Sequence, residues 1–211
     1  MTSSSESYIR DRLSAQGSRR TEADMLQAEP ARHRFTVEEY RRMGELGFFT
    51  GDDRVELIRG ELVDMNPIGV SHLNCVTRLN HKLVEQSRGR YFVSVQNPVG
   101  AADDSEPQPD FSLLRELPNP GSSNPPSSET TLVVIEVSDT TLAYDRNVKL
   151  PLYAESGMPE VWIVDLKNKK VEVHSEPSSE GYKATRVFAS GEEVESPTLA
   201  DLSVPVDEVM A

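Results

Sequence analysis

TLVVIEVSDTTLAYDRNVK, residues 131–149, decides how this chain is read, because a carboxylate interrupts what is otherwise a buried strand. Six of the seven residues at 131–137 (Thr, Leu, Val, Val, Ile and a third Val) favour a strand, and the remaining one is Glu136. A carboxylate at such a place loses its hydration and needs a compensating partner, of which a metal ion is one. Side chains alternate along a strand, so Glu136 shares a face with Leu132, Val134 and Ser138. It falls near the polar end of the strand, at Ser138 and Asp139, and functional groups concentrate at such ends.

Working outward, Asp110 follows Pro109 upstream and precedes the short strand-like run Phe111, Ser112, Leu113, Leu114. Downstream, the pattern predicts a helix over about residues 145–156. At ~100° per residue Lys149 projects between Val148, Leu152 and Tyr153, on the apolar face of that helix. Pro151 belongs in the first helical turn or kinks the helix, and Gly157 with Met158-Pro159 ends it.

The order Pro-Asp, an acidic residue inside an apolar strand, then an inward lysine resembles the PD-(D/E)xK nuclease superfamily. The segments ELIRGELVDM, PQPDFSLL, LVVIEVSDTT, YDRNVKLPLY and GMPEVWIVDL, in that order, resemble the Uma-two family of restriction endonucleases from about Phe35 to the C-terminus. One departure concerns mechanism. The superfamily's usual lysine lies two residues after the acidic one, and that place holds Ser138, which carries no charge. The resemblance implies that the lysine has moved to the following helix, where Lys149 is the only lysine between Lys82 and Lys167.

The resemblance implies an α/β (α+β) domain with a restriction-endonuclease-like mixed central sheet flanked by helices, an extra N-terminal hairpin and C-terminal strands. It also implies a Mg²⁺-dependent endonuclease acting on DNA, with Mn²⁺ able to substitute and a homodimer as the common assembly. Asp110 and Glu136 would ligate the cation, with the Val137 carbonyl as a third oxygen. Lys149 would orient the attacking water or stabilise transition-state charge. Two alternatives stay open: a buried ion pair of Glu136 and Lys149, with Asp110 merely opening a strand, and a catalytically silent interaction module on the same fold.

Charge separates these readings. The net charge of −13 is uneven: residues 1–34 hold six Lys/Arg against five Asp/Glu, which leaves 16 against 30 for the remainder. Such a surface repels a polyanion and argues against tight nonspecific DNA binding, although a metal site is itself acidic and its ion reverses the local field. A single cysteine, Cys75, precludes an intrachain disulfide and suits a reducing cytosol. With no transmembrane candidate and no signal-peptide pattern, a cytoplasmic protein away from membranes is expected.

Residues 1–33 are rich in Ser, Glu and Arg and are expected to form a disordered tail ahead of one domain at 34–211. Thr36 and Glu39 make a capping box that opens a short packing helix. Residues 54–58 and 61–65 around Arg59-Gly60 predict a hairpin; Glu56 within it fits the solvent face more readily than the metal site. Ser71 is expected to cap a helix running to about Ser87, with Leu73, Val76, Leu79 and Leu83 as its apolar stripe. His72 at its start is a candidate to approach substrate. His81, nine residues on, lies on another face and does not share a site with it.

Strand 91–95 and a turn bring in Gln96 as an outer candidate, and Ser138 completes the set around the ligands. Residues 117–128 (LPNPGSSNPPSS) form a proline-rich loop between the two proposed ligands. That position suggests a gate at the site mouth, with a plain surface insertion as an equal reading. Residues 160–166 read as a central strand with Trp162 in the core and Asp165 capping its end, and strands at 170–174 and 182–188 extend the sheet. No repeat, phosphate-binding glycine loop or CxxC pair is present.

Overall fold

The computed structural model describes residues 31–50, 53–122 and 124–210, nearly all of them in the unit Arg34–Ala211. The expected N-terminal tail lies outside the described residues except for its last three. Strands β1 (Val55–Ile58) and β2 (Glu61–Asp64) form an antiparallel hairpin. Six more strands, β3 (Phe92–Val95), β4 (Phe111–Leu114), β5 (Thr131–Ser138), β6 (Glu160–Asp165), β7 (Lys170–Ser178) and β8 (Gly181–Ala189), lie in that order in one sheet. Only β5 and β6 run parallel, so the sheet is mixed, as the family resemblance implies.

The helices explain why β5 and β6 are buried at every position. One sheet face packs helix α2 (Val70–Ser87) through Cys75, Leu79 and Leu83 against Leu113, Ile135, Val137, Trp162 and Val164. Strands β9 (Glu193–Glu195) and β10 (Ser203–Pro205) and helix α5 (Val206–Met210) close the same core through Val194, Val204, Val206 and Val209. The other face packs the helical segment after β5, where Tyr153 and Met158 meet Val134, Val161 and Ile163. A strand covered on both faces reads as a continuous apolar run, and Glu136 is the break in it.

That second helical segment differs from the uniform helix expected. It comprises the short turn α3 (Leu142–Tyr144), a π-helical stretch (Asp145–Lys149) and α4 (Leu150–Glu155), with Pro151 in the first turn of α4. The Leu150 N–H reaches back five residues to the Asp145 carbonyl. Proline supplies no N–H to the turn before it, so the wider turn arises where the α-helical ladder is already broken. Both ends of the π stretch, Asp145 and Lys149, are buried toward the sheet.

Helix α1 (Val37–Glu45) begins with the expected capping box: the Thr36 N–H donates to Glu39 at 2.9 Å and the Glu39 N–H to Thr36 Oγ1 at 3.2 Å. No residue of α1 is fully buried, so its attachment rests on polar bonds, including Tyr40 Oη to the Val55 carbonyl and Arg41 to Glu106. Helix α2 departs from expectation at its start. Gly69, not Ser71, is the N-cap, and a Cβ there would meet Asp139 Oδ2 at 3.4 Å. Leu73 is 54% exposed and leaves the stripe, because the buried face runs through Cys75, Leu79 and Leu83 at i, i+4 spacing.

Candidate functional site

Asp110 immediately precedes β4, which pairs with β5 so that Phe111 lies opposite Ile135. The β4–β5 ladder ends at that pair, with Pro109-Asp110 just beyond it. Proline has no N–H to donate, so Pro109 cannot extend the ladder as a donor. The Val137 N–H turns instead to Asp110 Oδ2 at 2.8 Å. The Pro-Asp pair thus ends the sheet ladder and fixes the carboxylate at its tip.

Two further side chains hold Asp110. His72 Nε2 lies 3.0 Å from Oδ2 and also 3.0 Å from Oδ1, and Gln96 Nε2 lies 3.3 Å from Oδ1. The Asp110 bond raises the basicity of His72 above its ordinary value, against the opposing effects of burial and of Arg54. Gln96 takes a left-handed backbone (φ 51°), an uncommon conformation for a residue with a Cβ, and its N–H donates to the Asp110 carbonyl at 3.0 Å.

Glu136 shares the β5 face of Val134, the face that meets the helical segment after β5. Its Oε1 accepts from Tyr153 Oη at 2.6 Å and from Lys149 Nζ at 3.2 Å. Lys149 Nζ also lies 3.0 Å from Glu56 Oε2. Glu56 is therefore not on the solvent face: it is 2% exposed and is the second counter-charge of the lysine. It accepts as well from the Gln108 N–H at 3.1 Å, two residues ahead of Asp110, which ties the hairpin to the Pro-Asp segment. The sequence pattern concealed this because a four-residue hairpin strand has no second sheet face to reveal which side is covered.

Burial raises the pKa of Glu136 to about 8; Lys149 opposes that rise, while Asp145, Asp110 and Glu56 add to it. For Lys149, burial is the largest influence and acts downward. Glu136, Glu56 and Asp145 together outweigh it, so the ammonium is held charged well above its ordinary range. The surplus negative charge of this cluster is thus relieved at Glu136, the member that most readily keeps a proton.

Asp145 and Tyr153 are functional-cluster residues that sequence reasoning missed. Asp145 Oδ2 accepts from Ser138 Oγ at 2.7 Å and from Thr141 Oγ1 at 2.6 Å. Ser138 therefore anchors the π stretch that carries Lys149. The legible signals were Thr141 and Asp145 at i, i+4 and Tyr153 four residues after Lys149 on one helical face.

One cavity of about 390 Å³ collects the constellation. Asp110, Glu136, Val137, Asp145, Lys149 and His72 line it, joined by Arg54, Asp64 and Asp139. Glu56, Gln96 and Ser138 stand behind these residues. The loop at 117–128 does not reach this cavity among its described residues. It follows the far end of β4 and lies beside β3, where Pro125 and Pro126 line a separate groove. Chain order misled here: Asp110 and Glu136 sit at one end of an antiparallel pair, and the loop joining β4 to β5 turns at the other end. His81 does not line the cavity either. Among the described residues no group of three or more His, Cys, Asp and Glu side chains is arranged to hold a metal ion.

Two further acidic residues of β6 are structural. Asp165 accepts from the Asn168 N–H and side chain and pairs with Arg146, capping the β6 end as expected. Glu160, fully buried, accepts from Trp162 Nε1, Ser196 Oγ and the Thr198 N–H.

The sequence profile of the Uma2 family, described as "Putative restriction endonuclease", matches residues 37–207. The chain belongs to the Uma2 family. The match spans the hairpin, the Pro-Asp segment, β5 and the π stretch, so every residue of the cavity lies in the Uma2 region. A crystal structure from Anabaena variabilis ATCC 29413, titled "a putative nuclease belonging to DUF820", is similar at a TM-score of 0.64 and 15% identity. The similarity covers 83% of this chain and 97% of that one, and it supports the nuclease-like fold of the Uma2 chain. No curated protein matches the chain. No helix among the described residues is long and apolar enough to cross a membrane.

Proposed function

We propose that this chain is a Mg²⁺-dependent nuclease that hydrolyses phosphodiester bonds in DNA at the cavity lined by Asp110, Glu136 and Lys149. The observation that carries the reading is convergence: three residues far apart in sequence, on two paired strands and the helix that follows, line one cavity. The donor set suits a hard cation. Two carboxylates and the Val137 carbonyl are the kind of oxygen ligands Mg²⁺ prefers, and that ion usually keeps several waters. Asp110, Glu136 and the Val137 carbonyl would hold it, and Mn²⁺ would replace it. When bound, the cation supplies charge stabilisation to the phosphate and an activated water.

The protein's own part is positioning. The Val137 N–H, Gln96 and His72 fix the Asp110 carboxylate, and Tyr153 fixes Glu136. Lys149 presents an ammonium in a low-dielectric wall, where it stabilises charge developing on the transferring phosphate more strongly than a solvated lysine would. Glu56 and the Ser138–Asp145 bond hold that lysine from the opposite side. Cys75 as a buried free thiol supports a reducing, cytosolic setting, and a homodimer is the proposed assembly.

A catalytically silent module on the same fold is the second reading. It is favoured by the pairing of Lys149 with two carboxylates and by the absence of a three-residue ion-binding group among the described residues. Incubation of supercoiled plasmid with purified protein and Mg²⁺ or Mn²⁺ decides between them. Nicking that disappears in Glu136→Gln and on chelation is expected. Intact plasmid in both metals would leave the module reading.

A further inference from the structure

The cavity is lined by five carboxylates, Asp64, Asp110, Glu136, Asp139 and Asp145, and by three residues able to carry positive charge, Arg54, His72 and Lys149. Lys149 is committed to Glu56 and Glu136, and His72 to Asp110. Arg54 is different. Among the described residues no carboxylate forms an ion pair with its guanidinium, whereas Arg34, Arg41, Arg59 and Arg146 are each paired with one. Its backbone is fixed, since the Met65 N–H donates to its carbonyl at 2.8 Å at the start of the hairpin. Arg54 and Glu56 are two residues apart, so they share the hairpin face that meets the π stretch. His72 adds a second open position, because its Nδ1 is buried without a hydrogen-bond partner.

We propose that Arg54 is the phosphate anchor of this cavity, binding a phosphate of the nucleic-acid substrate beside the carboxylates, with His72 Nδ1 at the edge of the same subsite. The inference rests on the nuclease reading and deepens it. Five carboxylates repel a phosphodiester, and a cation not already neutralised by a protein carboxylate is needed to seat one. A guanidinium suits the task because its planar fork bonds two phosphate oxygens at once, which an ammonium does not. The subsite also accounts for how a chain of net charge −13 gains a local attraction for a polyanion without a basic surface.

The test is fluorescence anisotropy with a short fluorescein-labelled single-stranded DNA, in Ca²⁺ so that binding is read without turnover, alongside plasmid cleavage in Mg²⁺. Arg54→Gln should weaken binding ~10- to 100-fold, the effect of one charged hydrogen-bonding group. It should also flatten the dependence of log affinity on log salt by about 0.7, the share of one phosphate contact on a single strand. Arg54→Lys should keep the salt slope and recover part of the affinity. Arg88→Gln, at the end of α2 and outside the cavity, should match the parent. Single methylphosphonate replacements along the strand should weaken the parent protein at one phosphate, which tests the subsite without any variant. Arg54→Gln binding with parental affinity and salt slope, or a parent indifferent to every methylphosphonate, overturns the anchor while Glu136-dependent cleavage leaves the nuclease reading intact. A parent that neither binds nor cleaves removes both.

Discussion

Lys149 Nζ lies 3.0 Å from Glu56 Oε2, joining the N-terminal hairpin to the π-helical stretch across the cavity. The same nitrogen lies 3.2 Å from Glu136 Oε1, so one ammonium bridges two acidic side chains that are each almost fully buried. Lys149 is thus held in register by an element outside the central sheet.

This relationship fixes the outcome of removing the lysine. Lys149→Ala leaves two buried carboxylates without a counter-charge and should destabilise the metal-free protein by about 3 to 5 kcal/mol. Urea denaturation measures it. In a Glu56→Gln background the same change should cost less, since one stranded charge is already gone. A loss under about 1 kcal/mol in the parent background would show that the cluster does not depend on Lys149.

The pH dependence has a definite sign. Glu136 has its pKa raised from 4.5 to about 8 in the folded state, so between these values the folded protein binds more protons than the unfolded chain. Stability contributed by this group is present below about 4.5 and is lost as pH rises toward about 8. Glu136→Gln keeps the shape and removes the titration. Its melting temperature relative to the parent should therefore climb steadily from pH 5 to about 8 in metal-free buffer. A constant difference across that range would refute the assignment.

Tyr153 Oη donates to Glu136 at 2.6 Å in a fully buried setting, and the phenol pKa is driven upward by burial and by that carboxylate. Tyr153→Phe should cost about 1 to 3 kcal/mol, the penalty for leaving a buried acceptor short of a donor. It should also lower cleavage, because Glu136 loses the bond that orients it. Unchanged stability would mean that Lys149 alone satisfies the carboxylate.

Exposure of the cavity residues bears on substrate form. Asp110 is 9% exposed, and Glu136 and Lys149 are 4% exposed, so a phosphate reaches them only by entering the cavity. A single strand or frayed end can insert, whereas an intact duplex keeps its backbone on a rigid cylinder. On the nuclease reading, single-stranded oligonucleotides should be cut at least ~10-fold faster than blunt duplexes of the same sequence, a gap of about one 1.4 kcal/mol step in barrier. Equal rates measured by gel would count against this access route.

The sequence by itself determined the central strand, its interrupting Glu136, the Pro-Asp segment before β4 and the inward lysine. Each is a local statement: alternation along a strand, a missing proline donor, or the turn of a helix sets it within a few residues. The capping box at Thr36 and the hairpin around Gly60 were legible for the same reason. What only the tertiary structure decided were relations between distant segments. Glu56 read as a surface charge until the hairpin met the π stretch. The loop at 117–128 read equally as a gate or a plain surface insertion until antiparallel pairing carried it to the other end of the sheet. The π turn, which brings both Asp145 and Lys149 to the sheet, depends on Pro151 and on Ser138 holding Asp145 from β5. Periodicity assigns each side chain a face of its own element, but the partner that face meets is fixed only when the elements pack.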